Sequence, residues 1–293
     1  MARLGINLMA WSAEIGPVEM SLLPRLAELG YDGVELPLLD PDRVDAERVR
    51  TALADAGLAC TASGAVPPGA SLLNPNERVR GVAWIDRCLA LAAACGAMVL
   101  CGPFCTPVGD LPGRAPTNEE WDSCVIGLRE VGKRATDRGM TIALEVLNRF
   151  ETHFLNTAAD AVRLLAAVDQ PAVGIHLDTF HMNVEEKSLA QAIRLAGSHL
   201  RHVHFSENDR GIVGSGHVDW RGVRDALAAI GYLSSDRWIT AETFAGTIPE
   251  IAAATAIWRP IVPDPWTYAR ESLEFMCQIL DNPSCENPSR RGK

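Results

Sequence analysis

Five times along this chain a helix-patterned stretch stops at a glycine and an apolar run begins within a few residues: Leu29-Gly30-Tyr31, Ala56-Gly57-Leu58, Cys95-Gly96-Ala97, Arg138-Gly139-Met140 and Ile230-Gly231-Tyr232. Glycine enters the left-handed backbone region without a Cβ clash, which closes a helix and redirects the chain. The stretches before it carry core-facing helical spacing, as in Leu22, Leu23, Leu26 and Leu29. Val162, Leu165 and Ala166 show the same spacing behind Thr157 and Asp160, which read as a capping box. Eight short apolar runs lie among the helices, at 4–9, 33–36, 59–65, 98–102, 141–146, 173–178, 200–205 and 238–243. Runs of this length suit parallel strands buried on both faces.

A strand-then-helix unit repeated this often, with no composition break to mark a linker, predicts one closed (β/α)8 TIM barrel. The competing doubly wound sheet would need a glycine-rich turn after the first strand, where this chain has Trp11-Ser12-Ala13-Glu14. A barrel domain is therefore expected over residues 1–283. The polar segment 284–293, with Pro288 and Gly292, is expected to be a frayed, disordered tail.

The chain has 37 acidic against 27 Lys and Arg residues, a net charge of −10. That balance excludes a protein whose binding rests on a basic field, so neither nucleic acid nor an anionic membrane is expected as partner. No run approaches the roughly 18 apolar residues of a membrane span, and the short apolar stretch after Met1-Ala2-Arg3 does not read as a signal sequence. A cytoplasmic protein is expected. Its eight cysteines are expected to be reduced core or loop thiols, Cys101 and Cys105 included, since no second pair completes a zinc site.

All seven histidines lie between positions 153 and 217. In a TIM barrel, reactive side chains project from the C-terminal ends of strands and from the loops that follow. Here the fifth strand ends at Glu145-Val146, the sixth at Asp178, the seventh at His204-Phe205 and the eighth at Glu242-Thr243. Three carboxylates converging on one mouth repel one another unless a cation sits between them. With His204 they form an oxygen-rich set suited to Mn2+, Co2+ or Mg2+ rather than a closed zinc site. The following loops add Glu151, His181 and Arg210, for which the structural alternatives are a Glu151–Arg149 pair, a loop cap by His181, and an Arg210 pair with Glu207 or Asp209. His176 and His202 share strand faces with Asp178 and His204, so a structural role in the barrel is expected for both, with supporting donors to the site as the alternative. His217 falls in a glycine-rich loop that would be able to close over the mouth.

Three runs carry a specific resemblance: Leu144-Glu145-Val146-Leu147-Asn148-Arg149-Phe150-Glu151, Leu177-Asp178-Thr179-Phe180-His181-Met182-Asn183, and His204-Phe205-Ser206-Glu207-Asn208-Asp209-Arg210. They resemble the ketose 3-epimerases, the D-tagatose, D-psicose (D-allulose) and L-ribulose 3-epimerase group of the xylose isomerase-like barrel superfamily. The resemblance runs from Leu4 to the last helix. It implies an isomerase acting on a free ketose by proton abstraction and return at C3 through a cis-enediolate. It implies Glu145, Asp178, His204 and Glu242 as metal ligands, with Mn2+ first and Co2+ or Mg2+ as alternatives, and Glu145 and Glu242 as the catalytic acid/base pair. Glu151, His181 and Arg210 would bind the oxygens of the first three sugar carbons. A homodimer or homotetramer is expected. The chain departs from its relatives in a longer segment at 232–238 and in Thr243, where many have proline. Trp11 and Trp258 are expected in the core, with the wall of the sugar site as the alternative. Within the superfamily the rival activities are aldose–ketose isomerisation, dehydration, or chemistry on a 3-keto sugar or glycoside. An apurinic-site endonuclease would need a basic face, and a non-catalytic sugar binder would show no metal-dependent turnover.

Overall fold

In the computed structural model, which describes residues 1–244, 246 and 248–282, eight strands close into a parallel barrel in sequence order. They are β1 Arg3–Asn7, β2 Gly33–Pro37, β3 Ala59–Ser63, β4 Val99–Gly102, β5 Thr141–Glu145, β6 Val173–Asp178, β7 Leu200–Phe205 and β8 Trp238–Ala241. Each pairs with its sequence neighbours, and β1 closes on β8 through the Arg3–Trp238 to Ile6–Ala241 register. The connecting helices are α1 Pro17–Met20, α2 Leu23–Leu29, α3 Ala46–Ala56, α4 Arg78–Cys95, α5 Asn118–Asp137, α6 Ala158–Val168, α7 Thr179–Glu185, α8 Leu189–Ala196, α9 Trp220–Ala229, α10 Pro249–Thr255 and α11 Pro265–Ile279. No described helix is long and apolar enough to cross a membrane.

The five helix-stopping glycines all take positive φ: Gly30 at 108°, Gly57 at 68°, Gly96 at 95°, Gly139 at 66° and Gly231 at 73°. Thr157 caps α6, its hydroxyl accepting from Asp160 N, but Asp160 answers the Thr157 hydroxyl rather than its backbone N–H. The helices bury their inner faces, such as Val82, Ile85, Leu89 and Ala92 of α4, against the outside of the barrel. The expected strand runs extend up to two residues past the observed ends because the last residues already turn into the mouth. Residues 284–293 lie outside the described residues.

The expectation of reduced cysteines holds for Cys60, Cys88, Cys95, Cys101, Cys105 and Cys124, all buried and free. It is corrected for Cys277, which is disulfide-bonded. Cys277 lies on α11, half-buried against the edge of the core.

Candidate active site and metal centre

The C-terminal mouth of the barrel collects every candidate of the last four strands. Glu145, Asp178, His204 and Glu242 each offer a ligand atom, and all four atoms lie within 4.8 Å of one another. Register accounts for this convergence: Asp178 pairs with His204 across β6 and β7, and Glu242 follows β8 on the same side. Asp178 divides its two oxygens, Oδ1 accepting from Phe180 N at 2.7 Å to cap α7. Its Oδ2 faces the mouth, where Arg210 Nη1 lies at 2.5 Å and Ser206 Oγ at 3.2 Å.

His204 Nε2 contacts Glu35 Oε1 at 2.8 Å. Its Nδ1 has no hydrogen-bond partner and faces Glu242 Oε1 at 3.1 Å and Asp178 Oδ2 at 3.8 Å. Buried carboxylates facing a ring nitrogen need a positive charge between them, either a proton on Nδ1 or a metal ion in its place, so the donor set fits a divalent ion. The electrostatics agree. Burial, opposed by His204 and reinforced by Asp178, pushes Glu145 up to about 7. Burial also lifts Glu242 to about 7 against the pull of His204 and Arg210. Burial would raise Asp178 too, but the Arg210 guanidinium and His204 hold it well below the usual carboxylate range. For His204 burial disfavours the charged ring, yet Glu242 and Glu35 push it well above its ordinary value.

The loop residues gather on the same cavity, of about 240 Å3, which Glu145, Glu151, His181, His204, Arg210 and Glu242 line. His181 Nδ1 accepts from Asn148 N at 3.2 Å, and its Nε2 lies 3.1 Å from Arg210 Nη2 and 3.5 Å from Glu145 Oε1. Burial and the adjacent Arg210 lower its pKa, so the ring is neutral. Glu151 accepts from Asn148 Nδ2 at 2.7 Å. Arg210 stacks between Phe180 and Phe244, 4.2 and 4.7 Å from the ring centroids. Its backbone sits at φ 65°, an unusual value for a side chain this large, and Thr243 Oγ1 clamps it by donating to its carbonyl at 2.6 Å. Thr243 thus has work at the position where many relatives carry proline.

The alternative partners of Glu151 and Arg210 are engaged elsewhere, whereas His181 does cap a loop through Asn148 N. Arg149 pairs with Glu185, Asp209 approaches Arg259 at 3.7 Å, and Glu207 accepts from Gly214 N, Val218 N and Trp220 Nε1. His217 is exposed and anchored through its N–H to Asn208, away from the cavity lining. Trp11 is half-buried, stacking edge-on against Trp266 at 5.1 Å, and Trp258 is 76% exposed, so neither joins the cavity and Trp258 is not core. His176 and His202 are fully buried and stack edge to face with His204, at 4.1 and 5.0 Å.

A model of the xylose isomerase-like TIM barrel matches residues 23–279. L-ribulose 3-epimerase of Mesorhizobium japonicum is 34% identical over 281 residues, covering 94% of this chain and 93% of the relative. The chain belongs to the ketose 3-epimerase family. Other members of that family include the ketose 3-epimerase of Arthrobacter globiformis, 32% identical over 89% of this chain and 91% of its own. The crystal structure of D-allulose 3-epimerase from Methylomonas sp. in complex with D-allulose superposes with a TM-score of 0.89 at 30% identity, over 94% of this chain and 96% of that one. These family members are carbohydrate isomerases.

One residue of the epimerase mouth escaped the sequence reading. Glu35 stands in the middle of β2, fully buried beneath His204 and beside His202, which approaches it at 2.8 Å. The available signal was a carboxylate inside the apolar run Gly33-Val34-Glu35-Leu36, which cannot be buried without partners.

Proposed function

We propose that this protein is a metal-dependent epimerase interconverting free ketoses at C3, with D-tagatose, D-fructose/D-psicose and L-ribulose as the substrate type. The observation that carries the reading is the convergence of His204 Nδ1, without a hydrogen-bond partner, with three carboxylates at the end of the barrel where TIM-barrel chemistry is done. Glu145, Asp178, His204 and Glu242 hold the ion, Mn2+ in the first place with Co2+ or Mg2+ as alternatives. When bound, a divalent ion supplies Lewis-acid stabilisation for the negative charge that develops as the proton leaves.

The hydrogen on C3 is weakly acidic even beside the C2 carbonyl, so a base must meet it at close range. Glu145 and Glu242 rise from different strands and serve the two faces of that carbon: one takes the proton to give a cis-enediolate, the other returns a proton opposite. His181, its Nδ1 held by Asn148 and its Nε2 beside Arg210 and Glu145, presents the edge of its ring to a sugar oxygen. Arg210 donates through a guanidinium fixed by two aromatic faces, and Glu151 accepts from a sugar hydroxyl. Together they hold the first three carbons in register with the two glutamates. Phe180, Phe244 and Met9 narrow the remaining wall.

The reading extends to a cytoplasmic homodimer or homotetramer. Phe150 and Trp258, 72% and 76% exposed, offer apolar surface for a second copy.

The test is incubation of the Mn2+-loaded protein with D-fructose, D-tagatose and L-ribulose, followed by separation of the products. C3 epimers are expected. Formation of an aldose or loss of water would instead favour isomerase or dehydratase chemistry, and absence of a C3 epimer from all three sugars would defeat the proposal.

A further inference from the structure

Beneath the four candidate ligands lies a buried carboxylate that nothing in the proposed reaction uses. Glu35 Oε1 accepts from His204 Nε2 at 2.8 Å and from Asn7 Nδ2 at 3.0 Å. Its Oε2 accepts from Thr61 Oγ1 at 2.9 Å and from Cys101 Sγ at 3.2 Å, and lies 2.8 Å from His202 Nε2. Every neighbour is a donor and the carboxylate is acceptor only, so the arrangement has a single polarity. It keeps a proton on His204 Nε2, so Nδ1, which faces Asp178 and Glu242, is the nitrogen that would meet the ion.

Asn7 extends the same arrangement across the mouth. Its Oδ1 accepts from Met9 N at 2.9 Å, which fixes the orientation of the amide. The Nδ2 group therefore points inward and donates to two carboxylates at once, Glu35 Oε1 at 3.0 Å and Glu242 Oε1 at 2.9 Å. Asn7 ends β1 and Glu35 lies opposite it in β2, so the first two strands, which contribute no ligand, hold two ligands of the last two.

We infer that Glu35 and Asn7 are positioning residues for the metal centre: Glu35 sets the tautomer and plane of His204, and Asn7 ties Glu242 to the same carboxylate. This rests on the metal-dependent reading above. The contacts leave the barrel floor no freedom to present the other ring nitrogen, since a neutral ring protonated on Nδ1 in place of Nε2 would leave Glu35 facing a bare nitrogen.

Glu35→Gln tests the inference because it keeps the size and turns an amide N–H2 toward a ring of donors. In the folded variant, Mn2+ binding measured by calorimetry is expected to weaken by about 10- to 100-fold, the range seen when the partner of a ligating histidine is removed. Asn7→Ala is expected to lower kcat at saturating Mn2+ while KM stays close to the parent value, because Glu242 is left free to turn. Unchanged Mn2+ affinity in Glu35→Gln overturns the role of Glu35, and unchanged kcat in Asn7→Ala overturns that of Asn7. Should Glu35→Gln not fold, 15N-detected histidine spectra of the parent protein decide the matter. In the Mg2+ complex one buried ring must carry its proton on Nε2 and show a shifted, unprotonated Nδ1, and a proton on Nδ1 of that ring in the complex would overturn the inference. If the parent binds Mn2+ but makes no C3 epimer, the epimerase reading fails while the binding measurement still judges Glu35.

Discussion

Arg210 Nη1 lies 2.6 Å from Glu242 Oε2, an ion pair in which both side chains are almost wholly buried. The same nitrogen reaches Asp178 Oδ2 at 2.5 Å, so one guanidinium joins two of the candidate ligands. A cation of fixed shape, stacked between Phe180 and Phe244, orients both carboxylates.

Replacing the shape while keeping the charge should therefore cost less than removing a proton carrier. Arg210→Lys is expected to lower kcat/KM by about tenfold, the equivalent of one charged hydrogen bond of about 1.5 kcal/mol. Glu145→Gln and Glu242→Gln each remove the group that takes or returns the proton and should lower kcat by about 1,000-fold or more. Steady-state kinetics on the best of the three ketoses provides the comparison. Near-parent turnover in either Gln variant would sink the two-carboxylate assignment.

Metal binding should tighten as pH rises. Burial holds Glu145 and Glu242 at about 7, and both must be ionised to act as ligands, so binding displaces protons that are present below that pH and absent above it. Between pH 8 and pH 6 the apparent Mn2+ affinity should fall by at least about tenfold, with protons released to the buffer. Calorimetry in two buffers of different ionisation enthalpy measures both quantities. EDTA should abolish turnover and Mn2+ should restore it.

Asn148 links the two loop residues assigned to the sugar, donating to Glu151 at 2.7 Å and meeting His181 Nδ1 at 2.9 Å. His181→Phe keeps the ring and removes the donor, and should raise KM by about tenfold for the loss of one hydrogen bond to substrate. If KM is unchanged and only stability falls, His181 is a structural residue.

Gly102 ends β4 against the sugar cavity at φ 138°, and an added Cβ would stand 1.9 Å from the carbonyl oxygen of Gly64. Gly102→Ala forces two strand ends apart and should destabilise the protein by at least about 1–3 kcal/mol, the cost of one such backbone conformation. Urea unfolding in the presence of EDTA reads this apart from any effect on metal binding.

The barrel was legible from local chemistry because each unit announces itself: a helix-stopping glycine, then an apolar run short enough to be a buried strand. Glu145, Asp178, His204 and Glu242 were legible for a related reason, since each is a charged group at the end of such a run. The cysteines were less so. Oxidation of Cys277 depends on which side of α11 it faces, a matter of packing rather than of spacing. Trp258 failed in the same way, as a large apolar residue on a loop carries no mark of whether anything covers it.

Glu35 and Asn7 mark the boundary most clearly. Their residue types and their strands could be read from the sequence, as could the polarity of the barrel and the side of it on which chemistry occurs. The sequence alone determined the repeating unit and the candidates at the strand ends, because both follow from interactions within a few residues. Only the tertiary structure decided that Glu35 meets a ring nitrogen 169 positions away and Asn7 a carboxylate 235 positions away. Closure of β1 onto β8 brings those distances to hydrogen-bond length, and no local pattern encodes a contact that exists only when the ring of strands is complete.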